Sequence, residues 1–96
     1  MEITIRENWE SMIYGADADS IAQTDKAATK KQYAEAIHDA VRKEYPDAEI
    51  CVDVWDSGAG RYEVEVSGVA DQEYYQVLDR VGEICEGVFA SGMFWA

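Results

Sequence analysis

Hydrophobic and polar positions alternate most cleanly from Glu49 to Ser67, EICVDVWDSGAGRYEVEVS. Ile50, Val52 and Val54 fall on one side, with Glu49, Cys51, Asp53 and Trp55 on the other. Beyond Asp56-Ser57-Gly58-Ala59-Gly60, Tyr62, Val64 and Val66 alternate with Arg61, Glu63, Glu65 and Ser67. Period-two alternation in β-branched residues around a Gly-rich turn predicts a β-hairpin. Setting Trp55 opposite Arg61 brings the two apolar rows into phase, and a slip of one residue would turn one row into water. The same register places Asp53 directly opposite Glu63. Like charges across a strand pair destabilise a sheet, so this pair is one that folding does not ask for.

Glu2 to Arg6 alternates as well, with Ile3 and Ile5 on one side and Glu2, Thr4 and Arg6 on the other, which predicts a short first strand. Trp9, Met12 and Ile13 have the spacing of a helical turn, and residues 15–20 read as a loop. A long helix is expected from Asp25 to Tyr45, with Thr24 as its N-cap and Tyr33, Ile37, Ala40, Val41 and Tyr45 as its apolar stripe. Pro46 stops it. A second helix is expected from Asp71 to Ala90, capped by Asp71 and left through Gly92. Its stripe is Tyr74, Val77, Leu78, Val81, Ile84, Cys85, Val88 and Phe89. Gly82 and Gly87 each weaken a helix by about 1 kcal/mol relative to Ala, and close packing on the sheet would offset that. Met93, Phe94 and Trp95 are expected either to form a short fourth strand or to offer a contact surface.

The element order is β-α-β-β-α. The fold class expected is α+β: a two-layer sandwich with a three-stranded, antiparallel-containing sheet and both helices on one face, ferredoxin-like or split β-α-β. With 96 residues, the chain is expected to form a single acidic domain. It shows no basic-then-apolar N-terminal segment and no apolar run near the ~20 residues of a membrane helix. A cytoplasmic location is expected. Cys51 and Cys85 lack ligand spacing and read as free thiols.

Charge changes the picture. The net charge is −12. Residues 1–24 carry five acids and one base, residues 25–48 carry five of each, and residues 49–96 carry ten acids and two bases. The acidity is therefore concentrated in the strands and helix that follow Ala48. Direct nucleic-acid binding is disfavoured, because phosphate contacts need positive surface, and a basic partner is favoured. Lys26, Lys30 and Lys31 collect where the helix macrodipole disfavours cations. They are expected to be solvated, or to meet an acidic neighbour.

No chemistry-bearing motif accompanies this charge. Asp17 and Asp19 resemble the opening of a calcium loop, but Ile21 takes the next ligand position and the distal Glu is missing. His38 stands beside Asp39 without a nucleophile motif. Asp53 and Glu63 lack the cleft that would set two carboxyls to unequal acid and base roles. Gly58-Ala59-Gly60 leads into a strand, not a helix, and so is turn chemistry rather than a phosphate loop. No enzyme, no metal and no cofactor are expected.

What remains is rows of acid. Glu63 and Glu65 are ~6.6 Å apart along a strand, and Asp79, Glu83 and Glu86 follow i, i+4, i+7 on the second helix. Such rows present a DNA-like potential to a basic groove, and Trp55 adds an anchor of the type enriched at interface hot spots. Glu49, Asp53, Trp55, Asp56, Glu63, Glu65, Asp79, Glu83 and Glu86 are the candidate partner-binding residues. Two other readings stand beside this one. An acidic face is often only a solvated face or a salt adaptation. Alternatively, Trp55, Cys51 and the apolar C-terminal residues form an ordinary interaction or homodimer surface.

In size, acidity and lack of an enzyme motif the whole chain resembles the small phage-encoded DNA-mimic inhibitors, anti-CRISPR and antirestriction proteins above all. Glu49, Asp53, Glu63, Glu65, Asp79, Glu83 and Glu86 carry that resemblance. It implies a partner in the host cytoplasm: the basic nucleic-acid-binding groove of a CRISPR surveillance complex or nuclease, from which DNA is excluded sterically and electrostatically. The lysines of the long helix depart from an all-round acidic coat and imply one acidic side.

Overall fold

The structure, a computed structural model, describes residues 1–14, 17–56 and 62–96, the last without the side chain of Tyr62. Seven elements follow in order: β1 (Glu2–Asn8), α1 (Trp9–Met12), α2 (Ala18–Ala22), α3 (Lys26–Glu44), β2 (Glu49–Trp55), β3 (Tyr62–Ser67) and α4 (Asp71–Ser91). The three strands form one mixed sheet with α3 and α4 packed on its inner face, which is the α+β sandwich expected.

The pairing inside that sheet corrects the hairpin. The strand order is β2-β1-β3, so β2 and β3 are not neighbours. β1 lies between them, parallel to β2 and antiparallel to β3. Ile3 pairs with Ile50 on one side and Val66 on the other, and Ile5 likewise with Val52 and Val64. Inserting β1 keeps all the apolar rows in phase, which is why alternation alone does not distinguish this arrangement from a hairpin. Both arrangements bury the same faces, but the one with β1 in the middle covers the two most apolar β1 side chains, Ile3 and Ile5, completely. The five residues expected to make the tight turn lie largely outside the described residues; of them only Asp56 is described.

β1 runs two residues past its predicted end. The parity of Ile3 and Ile5 therefore carries Glu7 onto the core face, where it is only 3% exposed. The Tyr33 hydroxyl donates to Glu7 Oε2 at 2.8 Å. Asn8 closes the strand and caps α1, its Oδ1 accepting from Glu10 N at 3.0 Å. Trp9 and Met12 of α1 are buried, as their helical spacing predicts. The segment expected as a loop is partly helical: Ala18–Ala22 forms α2, while residues 15 and 16 lie outside the described residues.

α3 is capped by Asp25, not Thr24. Asp25 Oδ1 accepts from Ala28 N at 3.0 Å, and the Thr24 hydroxyl instead donates to Ser20 O at 2.8 Å. The stripe of Tyr33, Ile37 and Val41 is fully buried, joined by Thr29. Tyr45, before Pro46, leaves the helix at φ −129°, ψ 70°. At α4 the cap position is Ala70, which offers no side-chain acceptor, and Asp71 is the first helical residue. Asp71 and Glu73 still suit the positive end of the helix dipole. Gly92 ends α4 in the left-handed region at φ 64°. Gly87 has no close packing to offset its helix cost, since a Cβ there would meet nothing within 4 Å.

Residues 92–96 form no strand. Phe94 is 3% exposed, its ring 4.5 Å from Tyr33 and 6.1 Å from Phe89. Trp95 meets Trp9 edge-on at 6.2 Å. The segment is tied to the start of α3 by two hydrogen bonds: Ala96 N donates to Thr29 Oγ1 at 3.0 Å, and Asp25 N donates to Ala96 O at 2.9 Å. Phe94 is thus a core residue. Phe94→Ala is expected to lower unfolding free energy by about 3–5 kcal/mol, read from urea denaturation. A loss below about 1 kcal/mol would show that the ring does not fill the space between α3 and α4.

Candidate acidic interface

The outer face of the sheet is built by strand parity. Side chains of the outward parity lie in cross-strand rows: Glu49, Glu2 and Ser67; Cys51, Thr4 and Glu65; Asp53, Arg6 and Glu63; then Trp55, opposite the buried Asn8. Both long helices pack on the opposite face, so the side chains of Glu2, Glu49, Asp53, Glu63 and Glu65 are exposed to solvent. Among the described residues, five carboxylates face one guanidinium on this side, a net charge of −4.

That guanidinium explains the charge pair that the sequence left without a cause. Asp53 and Glu63 are not opposite each other; Arg6 lies between them, paired with both across the central strand. Two strand spacings, roughly 10 Å, separate the acids. Arg6 Nη1 lies 3.0 Å from Glu65 Oε1 and 3.6 Å from Glu63 Oε2. Its charged form is favoured first by the hydrogen bond to Glu65, then by attraction to Glu65, Glu63 and Asp53, and its pKa is raised. The guanidinium also lies over the Trp55 ring, 5.6 Å from its centre, within cation–π range. Trp55 remains 48% exposed. Arg6 and Glu2 complete the face, and the parity of Glu2, Thr4 and Arg6 is the signal that places them there.

The acids of α4 form a second group. Asp79, Glu83 and Glu86 line a groove between α4 and β3, together with Val64, Leu78 and Gly82. Glu83 is held 3.0 Å from Arg80 Nη1. Arg80 Nε also donates to Glu44 at 3.2 Å, joining α4 to the end of α3. The hydrogen bond from Arg80, then its charge, lowers the pKa of Glu44.

Asp56 does not belong with these acids. Lys30 Nζ and Lys26 Nζ reach its Oδ1 at 2.8 and 2.9 Å. Two of the three lysines crowded at the start of α3 thus meet an acidic neighbour, which offsets their poor position on the helix dipole. Lys26 also lies over Trp9 at 5.8 Å. Lys30 first, then Lys26, hold the Asp56 carboxyl at about 2, below its usual 3.8. Cys51 is exposed and Cys85 is buried. His38 Nδ1 lies 3.8 Å from Asp39 Oδ1 on the partly exposed side of α3.

Of the nine predicted residues, the structure gathers Glu49, Asp53, Trp55, Glu63 and Glu65 on one open face, sets Asp79, Glu83 and Glu86 along the flank of β3, and turns Asp56 toward α3. No helix among the described residues is long and apolar enough to cross a membrane. No family model matches the chain, and neither a curated protein nor a solved structure matches it.

Because its folded pKa lies below the unfolded value, Asp56 contributes stability above about pH 4 that is lost as pH falls toward about 2. The stability gap between the wild type and Asp56→Asn is therefore expected to be full at about pH 6 and to close across that window, measured by urea denaturation at stepped pH. A gap unchanged down to about pH 2 would contradict the two-lysine clamp.

Proposed function

We propose that the open outer face of the sheet, extended by the α4 acids, docks on the basic nucleic-acid-binding surface of another protein and keeps nucleic acid from it. The observation that carries this reading is the five-to-one excess of carboxylates over cations, among the described residues, on the sheet face opposite α3 and α4. Five of the eight Lys and Arg residues lie on α3, on the other side of the sheet, so the molecule has a charge direction rather than a uniform coat. Such a field steers association with a basic surface and repels nucleic acid itself. Trp55, with the Arg6 guanidinium over its ring at the end of the acidic rows, supplies an apolar contact that desolvated carboxylates do not. The competing apolar-surface reading is weakened because Phe94, one of the residues it needs, is in the core.

Inhibition in this reading is competitive. Carboxylates spaced roughly 7 Å along β3 and roughly 10 Å across the sheet occupy the cations that would otherwise contact phosphates. A CRISPR effector or a nuclease with a bound DNA duplex is the kind of partner that fits.

The test is displacement of a fluorescent duplex from such an effector. Neutralisation, Asp53→Asn with Glu63→Gln and Glu65→Gln, is cleaner than reversal, which would set three ammonium groups around Arg6. The wild type is expected to displace DNA at least about tenfold more strongly than the folded triple variant, and to weaken steeply as salt rises from about 50 to about 500 mM. Equal displacement by both proteins at low salt would exclude the face as the interface.

A further inference from the structure

We infer that the exposed edge of β3 is where an extended, basic segment of that partner joins the sheet as a fourth strand; this deepens the docking reading above and rests on it. β3 ends the sheet, and among the described residues no strand pairs with its outer edge. An edge of this kind offers unpaired N–H and C=O groups to an incoming strand. The surroundings of this edge select the occupant. On the helix side, the groove beside it has Val64, Leu78 and Gly82 as its apolar lining and Asp79, Glu83 and Glu86 as its acids. On the outer side stand Glu63 and Glu65, their side chains 60% and 65% exposed.

Side chains of an added strand alternate between these two sides. Those pointing outward come within about 4.5–5.5 Å, Cβ to Cβ, of Glu63 and Glu65. Those pointing inward cross Val64 and Leu78. A long basic side chain there lays its methylenes on the apolar lining and carries its charge to the helix acids. Acid on both sides of one edge thus fits a strand with Lys or Arg on both faces, or with Lys or Arg outward and apolar residues inward. The β2 edge differs, because Lys26 and Lys30 stand at its end on Asp56 and bring positive charge there. A second copy of this chain fits poorly at β3, since edge-to-edge pairing would set Glu63 and Glu65 against their own kind.

The probe is a capped six-residue peptide of alternating lysine and valine, compared with the same peptide N-methylated at every backbone nitrogen. The methylated form keeps charge and composition but has no backbone donor. The unmodified peptide is expected to shift the amide signals of Val64 to Val66 and of Leu78 to Glu86, and to bind at least about tenfold more tightly than the methylated one. Asp79→Asn with Glu86→Gln is expected to weaken it further. Equal binding of the two peptides would overturn strand addition while leaving the acidic-face reading in place, as would shifts confined to Glu49–Trp55. Failure of both peptides to bind at low salt would also overturn the edge inference, with the DNA-displacement assay reporting separately on the proposed function. Self-association that covers β3 would overturn it in favour of a second copy.

Discussion

Arg6 stands on the central strand between two acidic edge strands, and the outer face of the sheet depends on it. Without that guanidinium, Asp53, Glu63 and Glu65 would surround an uncharged centre and repel one another across an open surface. With it, Glu63 and Glu65 are drawn to a shared cation that also attracts Asp53 and lies over the Trp55 ring. The excess of carboxylate remains, yet the sheet tolerates it. The fold thus supports a face that is strongly acidic at its rim and neutralised at its middle.

The other charges are arranged around the same division. The lysines at the start of α3 are turned to Asp56 at the end of β2, so part of the cationic charge is spent on tying helix to strand. Arg80 ties α4 to the end of α3 through Glu44. These contacts leave the outer face and the β3 flank as the places where acid outweighs base. Packing is concentrated on the inner side, where Ile3, Ile5, Tyr33, Ile37, Val41 and Val81 exclude water completely and the C-terminal residues seal the start of α3. A partner on the outer face would not need to disturb that core.

Most elements were legible because their periodicity is strong: Ile3 and Ile5, the two seven-to-six-residue strands, and the stripes of α3 and α4. What periodicity does not carry is which strand lies beside which. Ile50, Val52, Val54 and Val64, Val66 stay in phase whether or not β1 is inserted, and the seven-residue step from Trp55 to Tyr62 can reach roughly 23 Å, ample for two strand spacings of roughly 10 Å. The apparent clash of Asp53 with Glu63 was itself the clue, since a cation between them removes it and Arg6 has the right parity. Glu7 was missed because a charged residue in an apolar row reads as the end of a strand. Its acceptor bond from Tyr33, 26 residues away, is visible only in three dimensions. At each long helix the cap lies one residue from the position that residue type predicts. Thr24 and Asp25 are both good N-caps by type, and Asp71 is acceptable either as cap or as first helical residue.

The dependence of the acidic face on Arg6 is tested most directly by a double-mutant cycle. Urea denaturation would compare Arg6→Gln in the wild type with the same change in a background carrying Asp53→Asn, Glu63→Gln and Glu65→Gln. The predicted result is a clear loss of stability in the acidic background, reduced by added salt, and little loss in the neutral one. Equal losses in both backgrounds would mean that Arg6 and the acids are energetically independent, and would contradict the account.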